Sequence, residues 1–413
     1  MTKIAIVYYS MYGHVAKLAS SIKAGVTSVP GVQANLYQVS ETLNDDLLKA
    51  LHAPPKSDLP LATPDVLKNA DGILLGFPTR FGMLPSQVKS LFDACGGLWA
   101  TGGLIGKPCG IFFSSASLGG GQETTAMSMT PFIAHQGMTF VPLGYRTPLV
   151  GSNEEIHGGS PWGAGTLANA DGSRQPTELE LEIAKVQGQS FAEITKKLSQ
   201  PHLPATRPSS QASMTKVAIV FYSMFGHVSK LASAIQAGVR TVPGVQAELY
   251  QVKETLDEDL LQHLHAPAKP DLPIATPQVL QDADGILLGF PSHFGMVPAQ
   301  MKALFDACGG LWAKGSLIGK PCGVFFSTAS LGGGQETTAM STTPFIAHHG
   351  MIFVSLGFRS PLMDCNDVVH GGSLWGAGTI AYSDKSRQPS ELELEIAKIQ
   401  GQSFAEITKK LSS

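Results

Sequence analysis

MTKIAIVYYSMYGHVAKLASSIKAGV, residues 1–26, carries the reading that decides the fold, and it returns as MTKVAIVFYSMFGHVSKLASAIQAGV at residues 214–239. From Ile4 to Tyr9 the stretch is a short apolar run, the mark of a strand covered on both faces in a parallel sheet. A turn at residues 10–13 follows, and from His14 to about Gly25 the spacing becomes helical. Strand, tight turn and helix in that order open an α/β unit.

Reading outward, the repeat holds its register without a gap. Trp99 falls on Trp312, His135 on His348 and Arg174 on Arg387. A unit this long is a duplicated domain rather than one turn of a repeat array. The expected division is residues 1–198, a linker at 199–213, and residues 214–413. The linker, SQPHLPATRPSSQAS, is rich in Pro and Ser and has no periodicity. Fully extended it reaches at most about 50 Å, enough for the two copies to pair.

Within the first copy, residues 32–39 alternate like an outer strand, and 71–77, 108–114 and 138–144 are further strand runs. Helical stretches lie between them, for example 87–95 and 179–198. The alternation predicts a doubly wound, five-stranded parallel sheet in each copy, with right-handed crossovers. Such sheets bind ligands at the carboxyl ends of their strands, beside the topological switch point. Candidate chemistry falls in three loops at those ends.

The first loop is Ser10, Met11, Tyr12, Gly13, His14 and Val15. A hydroxyl, a glycine and a run of N–H groups where a helix begins suit a phosphate. A plain Ser cap with a tight turn explains the same residues equally well. Neither GxxxxGK nor GxGxxG is present, which excludes a P-loop or Rossmann turn. Glu41, just past the second strand, is a lone acid and a weak candidate for binding a ribose. The second loop, Pro78-Thr-Arg-Phe-Gly82, offers a cation at Arg80 and a ring at Phe81, groups that neutralise and stack on a planar ligand. In isolation it reads more simply as a packed Phe and a solvated Arg. The third, from Ser114 through Gly121, supplies hydroxyls and backbone donors, as a flexible glycine loop also would. Trp99 and His135 taken singly are ordinary core or structural residues. Together, the three loops offer what a flavin mononucleotide needs: phosphate donors, a stacking ring and donors to a pyrimidine edge.

A chain 43% apolar and 15% charged with net charge −3 is an ordinary globular protein, neither disordered nor nucleic-acid-binding. Cys95, Cys109, Cys308, Cys322 and Cys365 form no CxxC pair and no zinc spacing, so they read as reduced core thiols. The chain shows neither a signal-peptide pattern nor an apolar run near 18 residues, and a cytoplasmic protein is the expectation.

The motifs SMYGH, PTRFG, GGLWA, GGGQETT, AHQGM and DGSRQP, in this order and spacing, resemble the WrbA family of flavodoxin-like quinone oxidoreductases. The resemblance covers nearly all of both copies. It implies FMN as cofactor, NADH or NADPH as electron donor, and quinones as two-electron acceptors. By the same resemblance, Ser10, Met11, Tyr12, Gly13, His14 and Val15 would hold the flavin phosphate. Thr79, Arg80 and Phe81, with Ser114, Ser115, Ala116, Ser117, Leu118, Gly119 and His135, would surround the ring. Trp99 would wall the substrate cavity, and His135 would bond quinone or flavin. In the second copy the phosphate set becomes Ser223, Met224, Phe225, Gly226, His227 and Val228. The ring set becomes Ser292, His293, Phe294, Ser327, Thr328, Ala329, Ser330, Leu331, Gly332 and His348, with Trp312 as cavity wall.

Departures from the pattern concern the same loops. Met83 and Met296 stand where the family carries Asn, and Ala116 and Ala329 where it carries Gly. The second copy has His293 for Arg80, and Phe225 and Phe358 for Tyr12 and Tyr145. The reaction expected is hydride transfer through the flavin with ping-pong kinetics in one shared cavity. A flavodoxin-type electron carrier is the first competitor, although it would be strongly acidic to steer its partners. A scaffold that has lost flavin from one or both copies is the second. Family members are tetramers of single domains, so two tandem chains are expected to complete a pseudo-tetramer, with residues 146–175 and 359–388 lining inter-domain contacts.

Overall fold

The computed structural model describes residues 1–200 and 214–412. Contacts divide the chain after Gln200 into two compact units. Of the expected linker, Ser199 ends a helix and Gln200 caps it, while residues 201–213 lie outside the described residues.

The first unit runs β1 (Thr2–Tyr8), α1 (His14–Thr27), β2 (Val32–Gln38), α2 (Asp45–Ala50), α3 (Pro64–Asn69), β3 (Gly72–Pro78), α4 (Ser86–Asp93), α5 (Gly96–Ala100), β4 (Pro108–Ser115), α6 (Gln122–Met127), α7 (Thr130–His135), β5 (Thr139–Phe140), β6 (Gly165–Leu167) and α8 (Glu178–Ser199). The second unit repeats this order from the strand Thr215–Phe221 to the helix Glu391–Ser412. Strands of the first unit pair in the order β2-β1-β3-β4-β5, all parallel. This is the flavodoxin-like doubly wound order, with its switch point between β1 and β3. Ile6, Leu74 and Phe112 from the three central strands are fully buried. Leu18 and Ile22 of α1 and Phe191 of α8 are buried to within 1%.

The fifth strand departs from expectation. Instead of a continuous 138–144, β5 stops after Phe140, and β6 takes up the next stretch of the β4 edge, pairing Phe113 with Gly165 and Ser115 with Leu167. Val141 still donates to the Cys109 carbonyl at 2.8 Å. Pro142 then has no N–H to give, and the ladder ends. The second unit has Ser355 at the equivalent place, and its strand runs one residue further, Ile352–Val354.

Part of the intervening stretch is built into its own unit, while residues 153–156 are exposed. Trp162 is 1% exposed and packs 5.8 Å from the Phe140 ring. Gln187 of α8, fully satisfied, donates to the Ile111 carbonyl at 2.8 Å and accepts from Ala164 N–H at 2.9 Å, tying the segment to β4. Glu180 opens α8 as half of a capping box with Thr177. Its wholly buried carboxylate also accepts from Arg174 Nη1 at 2.9 Å, Thr166 Oγ1 at 2.7 Å and Gly158 N–H at 2.7 Å. A buried carboxylate with this many donors is held in place rather than stranded.

Four of the five cysteines are buried free thiols, as the sequence suggests, and burial raises the Cys95 and Cys308 pKa to about 11. Cys365 departs from that reading, being only half-buried after the turn Pro361–Asp364. No helix among the described residues is long and apolar enough to cross a membrane, and none of their acidic, His or Cys side chains cluster as a metal site.

Candidate functional site at the carboxyl edge of the sheet

At the switch point a cleft of about 250 Å³ is lined by Ser10, Met11, Tyr12, His14 and Val15 after β1, and by Pro78, Thr79 and Arg80 after β3. Ser114, Ser115 and Ala116 of β4 and its loop, and residues 168–172 after β6, complete it. The first turn is shaped by Ser10, whose Oγ accepts from Gly13 N–H at 3.1 Å and Ala16 N–H at 3.4 Å. Gly13, at φ 90°, caps α1 in the left-handed region, and a Cβ built there would meet nothing within 4 Å. Ala16 N–H is thus taken by Ser10 Oγ, while His14 and Val15, the first two residues of the helix, line the cleft at the positive end of its dipole.

Behind this turn lies a charged brace that accounts for Glu41. Its carboxylate accepts from Tyr9 Oη at 2.9 Å and Gln87 Nε2 at 2.6 Å, and pairs with Lys56 Nζ at 3.0 Å. Lys56 also donates to the Ser10 carbonyl at 3.2 Å, tying the brace to the turn. Burial pushes the Glu41 carboxyl up, but bonds from Gln87, Leu43 N–H, Lys56 and Tyr9 outweigh it and hold the pKa near 2. Its acceptors are thus spent inside the protein, and Glu41 does not line the cleft. The ribose role considered for it is set aside: it supports the turn from behind.

The loop after β3 closes as a two-residue hairpin, Arg80 N–H to the Met83 carbonyl at 2.8 Å and Met83 N–H back at 3.0 Å. At its tip Phe81 sits at φ 55° and is 99% exposed. Thr79 Oγ1 accepts from Thr125 at 2.6 Å and from Gly82 N–H at 3.2 Å, fixing the hairpin to α6.

The second unit forms the same cleft at about 170 Å³, lined by Ser223, Met224, Phe225, His227, Val228, Ser292, His293, Ser327, Thr328 and Ala329 among others. Glu254, Lys269, Tyr222 and Gln300 repeat the brace.

Residues 3–147 and 219–360 each match the family described as NADPH-dependent FMN reductase. The chain belongs to that family. It is 56% identical over 200 residues to a quinone oxidoreductase, QR2, of Triphysaria versicolor, which covers 48% of this chain and 98% of the relative. An NAD(P)H quinone oxidoreductase, PST3, of Candida albicans is 56% identical over 197 residues, 47% of this chain and 98% of its own length. Each of these relatives is spanned almost entirely by half of this chain. A solved WrbA-like protein of Agrobacterium tumefaciens is 22% identical and covers 48% of the chain and 99% of its own, with a TM-score of 0.32.

Within the family frame, most of the expected residues meet in one place. Gly13 and Gly226 shape the turns without lining the clefts. Phe81 and Phe294 stand clear at the hairpin tips, 99% and 100% exposed. Ser117, Leu118 and Gly119, like Ser330, Leu331 and Gly332, lie beyond the lining part of their loop. His135 and His348 end their helices and do not line the cleft of their own unit, and neither do Trp99 and Trp312. Sequence reading missed the wall after β6: Ala168, Asn169, Ala170, Asp171 and Gly172, and in the second unit Ala381, Tyr382, Ser383 and Lys385. Only the motif DGSRQP, overlapping this loop, gave a signal for it.

Proposed function

We propose that each unit binds FMN in its carboxyl-edge cleft and that the chain uses NADH or NADPH to reduce quinones by two electrons. The observation that carries this reading is the open cradle at the start of α1. Gly13 at φ 90° leaves room in front of the helix N-terminus, with Arg80 lining the same cleft. A phosphate monoester fits that donor set by charge and by geometry. Ser10, Met11, Tyr12, Gly13, His14 and Val15 would receive the phosphate. Thr79, Arg80, Ser114, Ser115 and Ala116 would border the ring system.

When bound, the flavin supplies the hydride acceptor and donor chemistry. The chain's own residues bind and orient. The brace of Glu41, Lys56, Tyr9 and Gln87 keeps the turn rigid, so that little conformational freedom is lost on binding. Gln122 Oε1 accepts from Gly159 N–H at 2.7 Å, tying the helix after the β4 loop to the segment before β6. His135, His348, Trp99 and Trp312, which do not line the cleft of their own unit, would act where another unit borders it. This is one reason to propose that two chains assemble into a pseudo-tetramer. A cytoplasmic setting suits the reduced thiols.

The test is a visible spectrum of the purified chain with added FMN, followed by steady-state kinetics with NADH or NADPH and a benzoquinone. Flavin absorbance at two equivalents per chain and parallel double-reciprocal lines are expected. Failure to bind FMN or to oxidise NAD(P)H rejects the reading. An electron carrier would instead show bound flavin with no quinone turnover.

A further inference from the structure

The two clefts differ in which loop carries the charge. In the first, Arg80 is the one Lys or Arg among the described lining residues. Its Nη2 lies 4.0 Å from Met11 Sδ, within the turn of residues 10–15. The second unit has His293 at that place, and burial pushes its pKa below the usual 6.5, so it is neutral at pH 7. A cation returns from another direction. Lys385, after the strand Gly378–Ile380, stands where the first unit has Gly172, and it is the one Lys or Arg among the described residues lining this cleft. Its Nζ is 4.3 Å from the centroid of the Phe225 ring, and Phe225 belongs to the turn of residues 223–228.

The backbone under Lys385 makes this exchange informative. Gly172 has φ 74° and Lys385 has φ 64°. Glycine takes this left-handed conformation freely, whereas a lysine there is strained. Strained residues of this kind cluster at binding sites and switch regions. The cleft also narrows, from about 250 to about 170 Å³, as Tyr382 and Lys385 replace Asn169 and Gly172.

We propose that Lys385 is the anion-recognising residue of the second cleft, meeting a ligand's phosphate at the turn of residues 223–228 and restoring there the positive charge that Arg80 brings to the first cleft. The proposal deepens the flavin reading and rests on it for the identity of the phosphate's bearer. A compact ammonium held over a ring beside a helix N-terminus binds phosphate as a point charge. The two units therefore reach one electrostatic result with exchanged parts.

Calorimetric titration of the full-length chain tests this, with FMN and with riboflavin, which has the same ring system and no phosphate. Melting temperatures with and without inorganic phosphate provide a second readout. Lys385→Gly, which removes the amine and relieves the backbone, is expected to weaken one of two FMN sites by roughly tenfold. Riboflavin binding should not change, and the rise in melting temperature brought by phosphate should shrink. Lys385→Met keeps the strained backbone without the charge and should match the glycine variant in FMN affinity. Arg80→Ala should weaken the other site. An equal loss for FMN and riboflavin would mark Lys385 as packing only and overturn the proposal. So would unchanged FMN affinity, or an effect at the same site as Arg80→Ala. If the wild type takes up no flavin, the flavin reading fails. The assignment of Lys385 is then decided by phosphate: protection that Lys385→Gly diminishes upholds it, and protection absent or unaltered overturns it.

Discussion

Gly13 and Glu41 both act on the turn of residues 10–13, one within it and the other through Lys56, and each shapes it by a different means. Gly13 holds φ 90°, and a Cβ there would meet nothing within 4 Å. Its cost is conformational, and its bulk falls where the phosphate is expected. Gly13→Val should destabilise the chain by about 1–3 kcal/mol and remove one of two FMN sites. Fluorescence quenching that still titrates two equal sites would displace the phosphate from this turn. Glu41, held near pKa 2 against an ordinary 4.5, is ionised throughout the neutral range. Its contribution is fully present above pH 4.5 and is lost as pH falls toward 2. Urea midpoints of wild type and Glu41→Gln should therefore differ most at neutral pH and converge between pH 4.5 and 2. A gap that stays constant on acidification would mean that the carboxylate's charge is not what braces the turn. The motif around Gly13 was legible in sequence because a turn between strand and helix is a local event. Glu41's role was not, because Lys56 and Gln87 reach it from other elements.

Between elements, α1 and α8 approach backbone to backbone. A Cβ at Gly25 would lie 1.9 Å from the Lys185 carbonyl oxygen, and one at Gly188 would lie 2.1 Å from that of Ile22. Gly238 and Gly401 repeat the pair in the second unit. Alanine is worth up to about 1 kcal/mol over glycine in a helix. Here it would force two backbones apart, and Gly25→Ala should lower stability by about 1–3 kcal/mol despite its better propensity. Thermal unfolding checks this, and a stabilised variant would contradict the crossing. Strand and helix identities were readable from periodicity because buried parallel strands are plain apolar runs. The split fifth strand was not: β6 is a three-residue piece, Gly165–Leu167, defined by its pairing with β4 rather than by its own pattern. The loop that follows it was not expected to be a cleft wall, although the motif DGSRQP overlaps it at Asp171 and Gly172.

At the scale of the whole chain, the repeat is the plainest message in the sequence, since an unbroken register needs no structural knowledge to see. The clefts were legible as three loops, but their inequality was only half visible: His293 stood out against Arg80, while Lys385 did not. Light scattering of the full chain is expected to give the mass of two chains. A strict monomer with full quinone reductase activity would refute the pseudo-tetramer.

The register that places Trp99 on Trp312 also has a genetic consequence. In an oligomer of identical single domains, one codon change alters every site at once, and a harmful intermediate is felt everywhere. Here each position is encoded twice and mutates separately. Arg80 and its twin His293 now differ, as do Gly172 and its twin Lys385. Tandem encoding keeps the two sites at fixed one-to-one stoichiometry and lets them drift into different ligand or donor preferences, a division of labour closed to a homomeric assembly.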